Sequence, residues 1–334
     1  MVVRIGLYVE SQEGATWQAW ERVARRAEAL GFDSLASSVH VMPLQARGRW
    51  ALDIWPVMTA VALWTERIHF GPLVLPITFY PPAQIARLAA AIDRLSHGRF
   101  ELGLGSGRHL EEHRAFGLPF AAHDERAAML AEAVDVIRLL WSGEPASYDG
   151  EWYRLAQAQA LPTPVQGWLG VAGNSEETLR LAATRADEWY TTNSPPGELQ
   201  ERLRRLDELA LEAGRQPQAL VRTIMSGVVV GRDAGELRQR ALRLADLVPS
   251  LAGQAPEAIL DRLAREWAWW IGTPQQVVEQ VSTALGTGFD RLLFQVYDPD
   301  DLAALDLLAE EAVPSLRAAS GSEVVVPLTG ARRP

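Results

Sequence analysis

The residue best suited to chemistry is His40, at the end of the stretch Ser37-Ser38-Val39-His40. Imidazole titrates near neutral pH, so a histidine at a pocket mouth can move a proton during a reaction. A packed or capping histidine is the bland alternative. The second candidate is Gly103-Leu104-Gly105-Ser106-Gly107-Arg108, whose glycines let a flat ring or a phosphate approach the backbone closely. It fails as a dinucleotide fingerprint, because Arg108 stands where the third glycine belongs and the stretch does not open a first βαβ unit. The third is Gly173-Asn174-Ser175-Glu176, where Asn174 or Ser175 is placed to cap a helix whose free N–H groups suit a phosphate. Plain capping needs no ligand. His109-Leu110-Glu111-Glu112-His113 fits the inverted zinc-protease pattern H-x-x-E-H. We read it instead as a solvated polar turn. Trp267, Trp269 and Trp270 read as core or subunit contact, or more sharply as the lining of a hydrophobic substrate pocket.

The elements that position these residues alternate. Apolar runs at 2–9, 32–37, 68–75, 99–104, 168–172, 188–191, 223–230 and 291–295 read as strands. Segments of helical period follow them, at 16–30, 54–65, 82–95, 125–141, 175–185, 197–213 and 300–318. Strands this continuously apolar belong to a parallel sheet covered on both faces. The expected fold is α/β, a (β/α)8 barrel over residues 1–318, with a doubly wound open sheet as the alternative. Residues 231–272 carry extra helical material and read as an insertion between the seventh and eighth strands, and 319–334 as a C-terminal tail. The stretch 105–124 reads as a long loop with room for a helical turn. In such a barrel the C-terminal strand ends hold the catalytic groups, and His40, Ser106 and Gly173 all follow strands there.

Composition narrows the chemistry. The 334 residues carry 48% hydrophobic and 22% charged side chains with a net charge of -10, which disfavours a nucleic-acid or acidic-membrane partner and suits a small molecule. Lysine is absent, so Schiff-base and P-loop lysine chemistry are excluded; cysteine is absent too, which excludes disulfides, thiolate nucleophiles and cysteine metal sites. No segment reads as a signal peptide or a membrane span, so a cytoplasmic protein is expected. We expect no metal.

Three stretches together resemble the bacterial-luciferase-like monooxygenase superfamily, which includes flavin-dependent monooxygenases and oxidoreductases of the deazaflavin coenzyme F420. They are Ala27-Glu28-Ala29-Leu30-Gly31-Phe32-Asp33-Ser34, Ile92 through Gly107, and Gly272-Thr273-Pro274-Gln275-Gln276-Val277 followed by Gly288-Phe289-Asp290-Arg291. The resemblance implies a role for His40 in proton transfer or in stabilising a flavin-linked intermediate. It implies a non-prolyl cis peptide at Leu73-Val74 behind the cofactor ring, a cofactor tail against Ser106, Gly107 and Arg108, and a cofactor phosphate at Gly173, Asn174 and Ser175. The expected function is F420-dependent hydride transfer to or from a small organic substrate; the alternative is a reduced-FMN-dependent monooxygenase using molecular oxygen. A homodimer is implied as well. The chain departs from the sugar-phosphate branch at Val39 and Leu44, where that branch has Asp and Trp.

Overall fold

The computed structural model describes residues 3–319. Its elements begin with β1 (Arg4–Val9), α1 (Trp17–Ala29), β2 (Ser34–Ser37), α2 (Ile54–Trp64), β3 (His69–Pro72), β4 (Leu75–Pro76), α3 (Pro82–Leu95) and β5 (Glu101–Gly105). There follow α4 (Leu110–Phe116), α5 (His123–Trp141), a hairpin of β6 (Ala146–Asp149) and β7 (Arg154–Ala158), β8 (Trp168–Ala172), α6 (Glu176–Arg185), β9 (Glu188–Thr192) and α7 (Pro196–Glu212). The chain continues through β10 (Val221–Val230), α8 (Ala234–Leu247), α9 (Pro256–Glu266), β11 (Trp270–Gly272), α10 (Pro274–Leu285) and β12 (Arg291–Val296). It closes with α11 (Leu302–Leu307), a π-type turn and α12 (Val313–Ala319).

The main sheet runs β3-β2-β1-β12-β10-β9-β8-β5-β4, and β3 and β4 are halves of one stave. A parallel bridge between Phe70 and Phe100 joins the two ends, so eight staves close into the expected (β/α)8 barrel. The helices wrap it for ordinary reasons. In α1, Trp20, Val23, Ala24 and Ala27 recur on one face and are buried, while the Thr16 hydroxyl accepts from the Ala19 N–H at 3.2 Å and starts the helix. Burial of side chains the size of Val23 stabilises by about 1.5–3 kcal/mol each.

Inside the barrel lies an ionic floor. Arg291 meets Glu101 at 2.7 Å and Glu188 at 3.1 Å, with all three side chains almost fully buried. Burial alone would raise the Glu101 carboxyl, but the Arg291 charge and then His69 outweigh it and hold Glu101 well below the carboxylate range. Tyr190 donates to Glu188 at 3.1 Å and faces the barrel mouth from above this floor.

Several expectations need correction. The third strand, expected as one run over 68–75, is broken into β3 and β4, while the expected cis bond at Leu73-Val74 is present at the break. The stretch 105–124, expected as a long loop with room for a helical turn, holds the longer helix α4, which Gly117 ends at φ 67°. The hairpin β6–β7 was not anticipated. The insertion is not wholly helical: β11 pairs in parallel with the far end of β10, Val228 opposite Trp270, and α8 and α9 close an apolar cluster of their own over it. The anticipated tail lies outside the described residues beyond Ala319.

Candidate active site

A cavity of about 330 Å³ opens at the C-terminal ends of the staves. His40, Leu73, Val74, Ser106, Gly107, Arg108, Gly173 and Asn174 all line it, joined by Tyr8, Glu112, Tyr190 and Met225. Ser175 does not line it. Its hydroxyl is the N-cap of α6, accepting from the Thr178 N–H at 3.4 Å, and capping geometry turns the oxygen along the helix rather than into the cleft.

His40 reaches the mouth because β2 ends at Ser37 and the Ser38 N–H still pairs with Val9 O at 3.0 Å, which leaves the next residues at the rim. Its Nδ1 lies 2.8 Å from Glu112 Oε2, and the other Glu112 oxygen accepts from the Val41 N–H at 2.9 Å. A carboxylate only accepts, so neutral His40 carries its proton on Nδ1. Nε2 is then the basic nitrogen, and it has no hydrogen-bond partner among the described residues.

Glu112 is where the sequence reading went furthest astray. The H-x-x-E-H stretch is no solvated turn, since Glu112 and His113 are each 1% exposed. His113 pins α4 over the mouth, donating from Nδ1 to His109 O and accepting at Nε2 from the Thr78 hydroxyl, both at 2.7 Å. Arg126 secures the turn before α4 through Gly107 O at 3.1 Å. Burial opposes ionisation of Glu112, but the hydrogen bond and charge of His40 and the Val41 N–H outweigh it and hold the carboxyl below its usual range. His109, edge-on to His40 at 4.9 Å, is shifted the other way: burial, then the neighbouring His40 and Arg108 charges, lower its pKa.

Carboxylates also stand behind the histidine. Glu13, 4% exposed, accepts from the Leu44 and Gln45 N–H groups at 3.0 and 3.2 Å and so fixes the segment after His40. Glu10 is raised by burial, an effect only partly offset by the side-chain amides of Gln12 and Gln295. Neither carried a signal in the sequence beyond lying two and five residues past a strand position that faces the barrel.

The cleft suits a flat ring with an anionic tail. A Cβ at Gly105 would lie 2.6 Å from the Val74 side chain, so only glycine lets β5 pass beside the cis Leu73-Val74 segment. Gly173, at φ 148°, would drive a Cβ into the Thr178 side chain at 2.5 Å, so the turn into α6 stays open at its N–H groups. Among the described residues no group of three or more His, Asp or Glu side chains is arranged to hold a metal ion. No helix among them is long and apolar enough to cross a membrane.

The fold and cleft together define a (β/α)8 barrel protein with its polar groups gathered at the strand ends. The chain belongs to the luciferase-like monooxygenase family, whose profile matches residues 2–291. It is 32% identical over 322 residues, 90% of this chain and 92% of the relative, to an F420-dependent glucose-6-phosphate dehydrogenase of Nakamurella multipartita. An F420-dependent hydroxymycolic acid dehydrogenase of Mycobacterium tuberculosis is 30% identical over 88% of this chain and 83% of its own. Among solved structures, an F420-dependent secondary alcohol dehydrogenase in complex with an F420-acetone adduct superposes with a TM-score of 0.80 at 22% identity, covering 95% of this chain and 99% of that one. A monooxygenase from Streptomyces bottropensis superposes with a TM-score of 0.79, also at 22% identity, over 93% of this chain and 99% of that one.

Proposed function

We propose that the protein is an oxidoreductase that uses coenzyme F420 for hydride transfer to or from a small organic substrate. The observation that carries this reading is the His40–Glu112 pair opening onto the same cleft as Val74, Ser106 and Gly173. Kinship with relatives named for F420 dependence supports the cofactor choice over FMN.

Leu73 and Val74 would back the cofactor ring, Ser106, Gly107 and Arg108 would meet its tail, and Gly173 and Asn174 would receive its phosphate, with Ser175 acting through the cap of α6. Coenzyme F420 supplies a two-electron hydride acceptor or donor. The residues of the chain handle the proton. In the oxidising direction His40 Nε2 takes the proton of a substrate hydroxyl, and Glu112 stabilises the imidazolium that results. In the reducing direction the same nitrogen returns it. We further propose that the enzyme is a homodimer, on family resemblance.

The test is equilibrium binding of the purified protein to F420 and to FMN, each oxidised and reduced, followed by fluorescence. Selective F420 binding is the expected result. Selective binding of reduced FMN would transfer the site to oxygen chemistry, and binding of neither would overturn the reading.

A further inference from the structure

Beyond the first cavity a second one of about 950 Å³ continues outward, sharing Arg108, Thr192 and Met225 with it. Its far wall is built from the insertion. Trp267 and Trp269 stand edge to face with ring centres 5.5 Å apart, and Trp269 rests on Tyr297 at 5.3 Å. The residue between them, Ala268, has a left-handed φ of 55°, which turns the chain between the two rings. That turn is clamped: the Ala268 carbonyl accepts from Asn193 Nδ2 at 2.8 Å and from the Ser226 hydroxyl at 2.9 Å. Opposite, β10 makes room with Gly227, where a Cβ would lie 2.0 Å from the Trp269 indole. Trp269 is therefore buried, and Trp267 keeps part of its ring open to the cleft.

Most of the polar lining is spent on the protein itself. Asn193 and Ser226 are committed to Ala268, and Gln280 to the backbone of Ile271. Arg265 is paired with Asp261 at 2.7 Å on the rim. The cation left in the shared lining is Arg108, which the cofactor reading already assigns to an anionic tail. With no lysine anywhere in the chain and Arg265 already offset by Asp261, this lining offers a substrate phosphate no cation free of a carboxylate partner other than Arg108.

We propose that this outer cleft takes an uncharged, mainly apolar alcohol or the matching carbonyl compound, and that Trp267 is the residue that sets this preference. The inference rests on the oxidoreductase reading and names its substrate class. An apolar body stacks against Trp267 while the hydroxyl points inward to the shared wall leading to His40.

The experiment is ligand-observed NMR titration of the full chain with 1-phenylethanol and, separately, glucose 6-phosphate, together with an F420 titration of the same samples. The alcohol is expected to bind saturably and the sugar phosphate not to. Trp267→Ala should weaken the alcohol about tenfold, or about 1.4 kcal/mol, and leave F420 affinity within about twofold. Trp267→Phe, which keeps a ring, should lose no more than about threefold, and it carries the test if unfolding curves find the alanine variant misfolded. Tighter binding of glucose 6-phosphate than of the alcohol would overturn the proposal, as would alcohol binding that is absent or indifferent to both Trp267 variants. If the alcohol behaves as expected but F420 does not bind, the cofactor reading falls and the cleft assignment stands.

Discussion

Replacing Glu112 with Gln tests the mechanism at its most exposed joint. In the native site one carboxylate serves two donors, His40 Nδ1–H at 2.8 Å and Val41 N–H at 2.9 Å. Glutamine has one oxygen and one amino group for these two positions. If its oxygen keeps Val41, the amino group faces Nδ1, and the proton of neutral His40 must move to Nε2, where a base is needed. If the amide flips, His40 keeps its tautomer, but a buried N–H faces a buried NH2 and neither is satisfied. In both cases the site loses one charge-assisted hydrogen bond, which is worth about 1.5–3 kcal/mol. Felt fully in the transition state, that is about a 10- to 150-fold fall in kcat. Glu112 acts through His40, so KM and F420 affinity should change by no more than about twofold. The assay pairs steady-state kinetics on an F420-linked alcohol with 15N NMR of the His40 ring, which reports directly which nitrogen bears the proton. A variant with native kcat and an unchanged ring signal would refute the proposed division of labour, because the carboxylate would then be doing no more than filling space.

Two further outcomes follow from the buried charges. Arg291→Met leaves Glu101 and Glu188 facing each other inside the barrel without a cation, and breaking such a buried pair should cost about 3–5 kcal/mol in urea unfolding; a loss below about 1 kcal/mol would mean that the floor is not held by ion pairing. His109 has a lowered pKa in the folded state, so between that value and its ordinary one near about 6.5 the unfolded chain binds a proton that the folded chain does not. Its contribution is therefore complete above about pH 6.5 and is lost as the pH falls below it. Urea midpoints of His109→Gln should lose this part of the acid slope, and a slope identical to that of the unsubstituted protein would contradict the assignment.

Much of the architecture was legible in the sequence because it depends on local rules. Apolar runs such as Ile68–Leu75 and Arg291–Gln295 mark buried parallel strands, and Thr16 and Ser175 mark helix starts by their capping chemistry. Given the barrel, the convergence of His40, Ser106 and Gly173 followed from topology, since parallel staves present all their C-terminal ends on one face. The short pairing of β11 with β10 was invisible, because three residues carry no periodicity of their own and pair only when a neighbouring strand overhangs the barrel. Glu112 was misread for a related reason. Its stretch has the composition of a solvated turn, and only the docking of α4 across the mouth buries the carboxylate against a histidine 72 positions earlier in the chain. Ser175 was open in a different way, since its place in the sequence suits a ligand or a cap equally, and the folded helix shows the cap. Residue types and spacing thus determined the barrel and the rim where chemistry belongs. Which side chains face one another across that rim, and which are desolvated there, was decided by long-range packing, which no local pattern encodes.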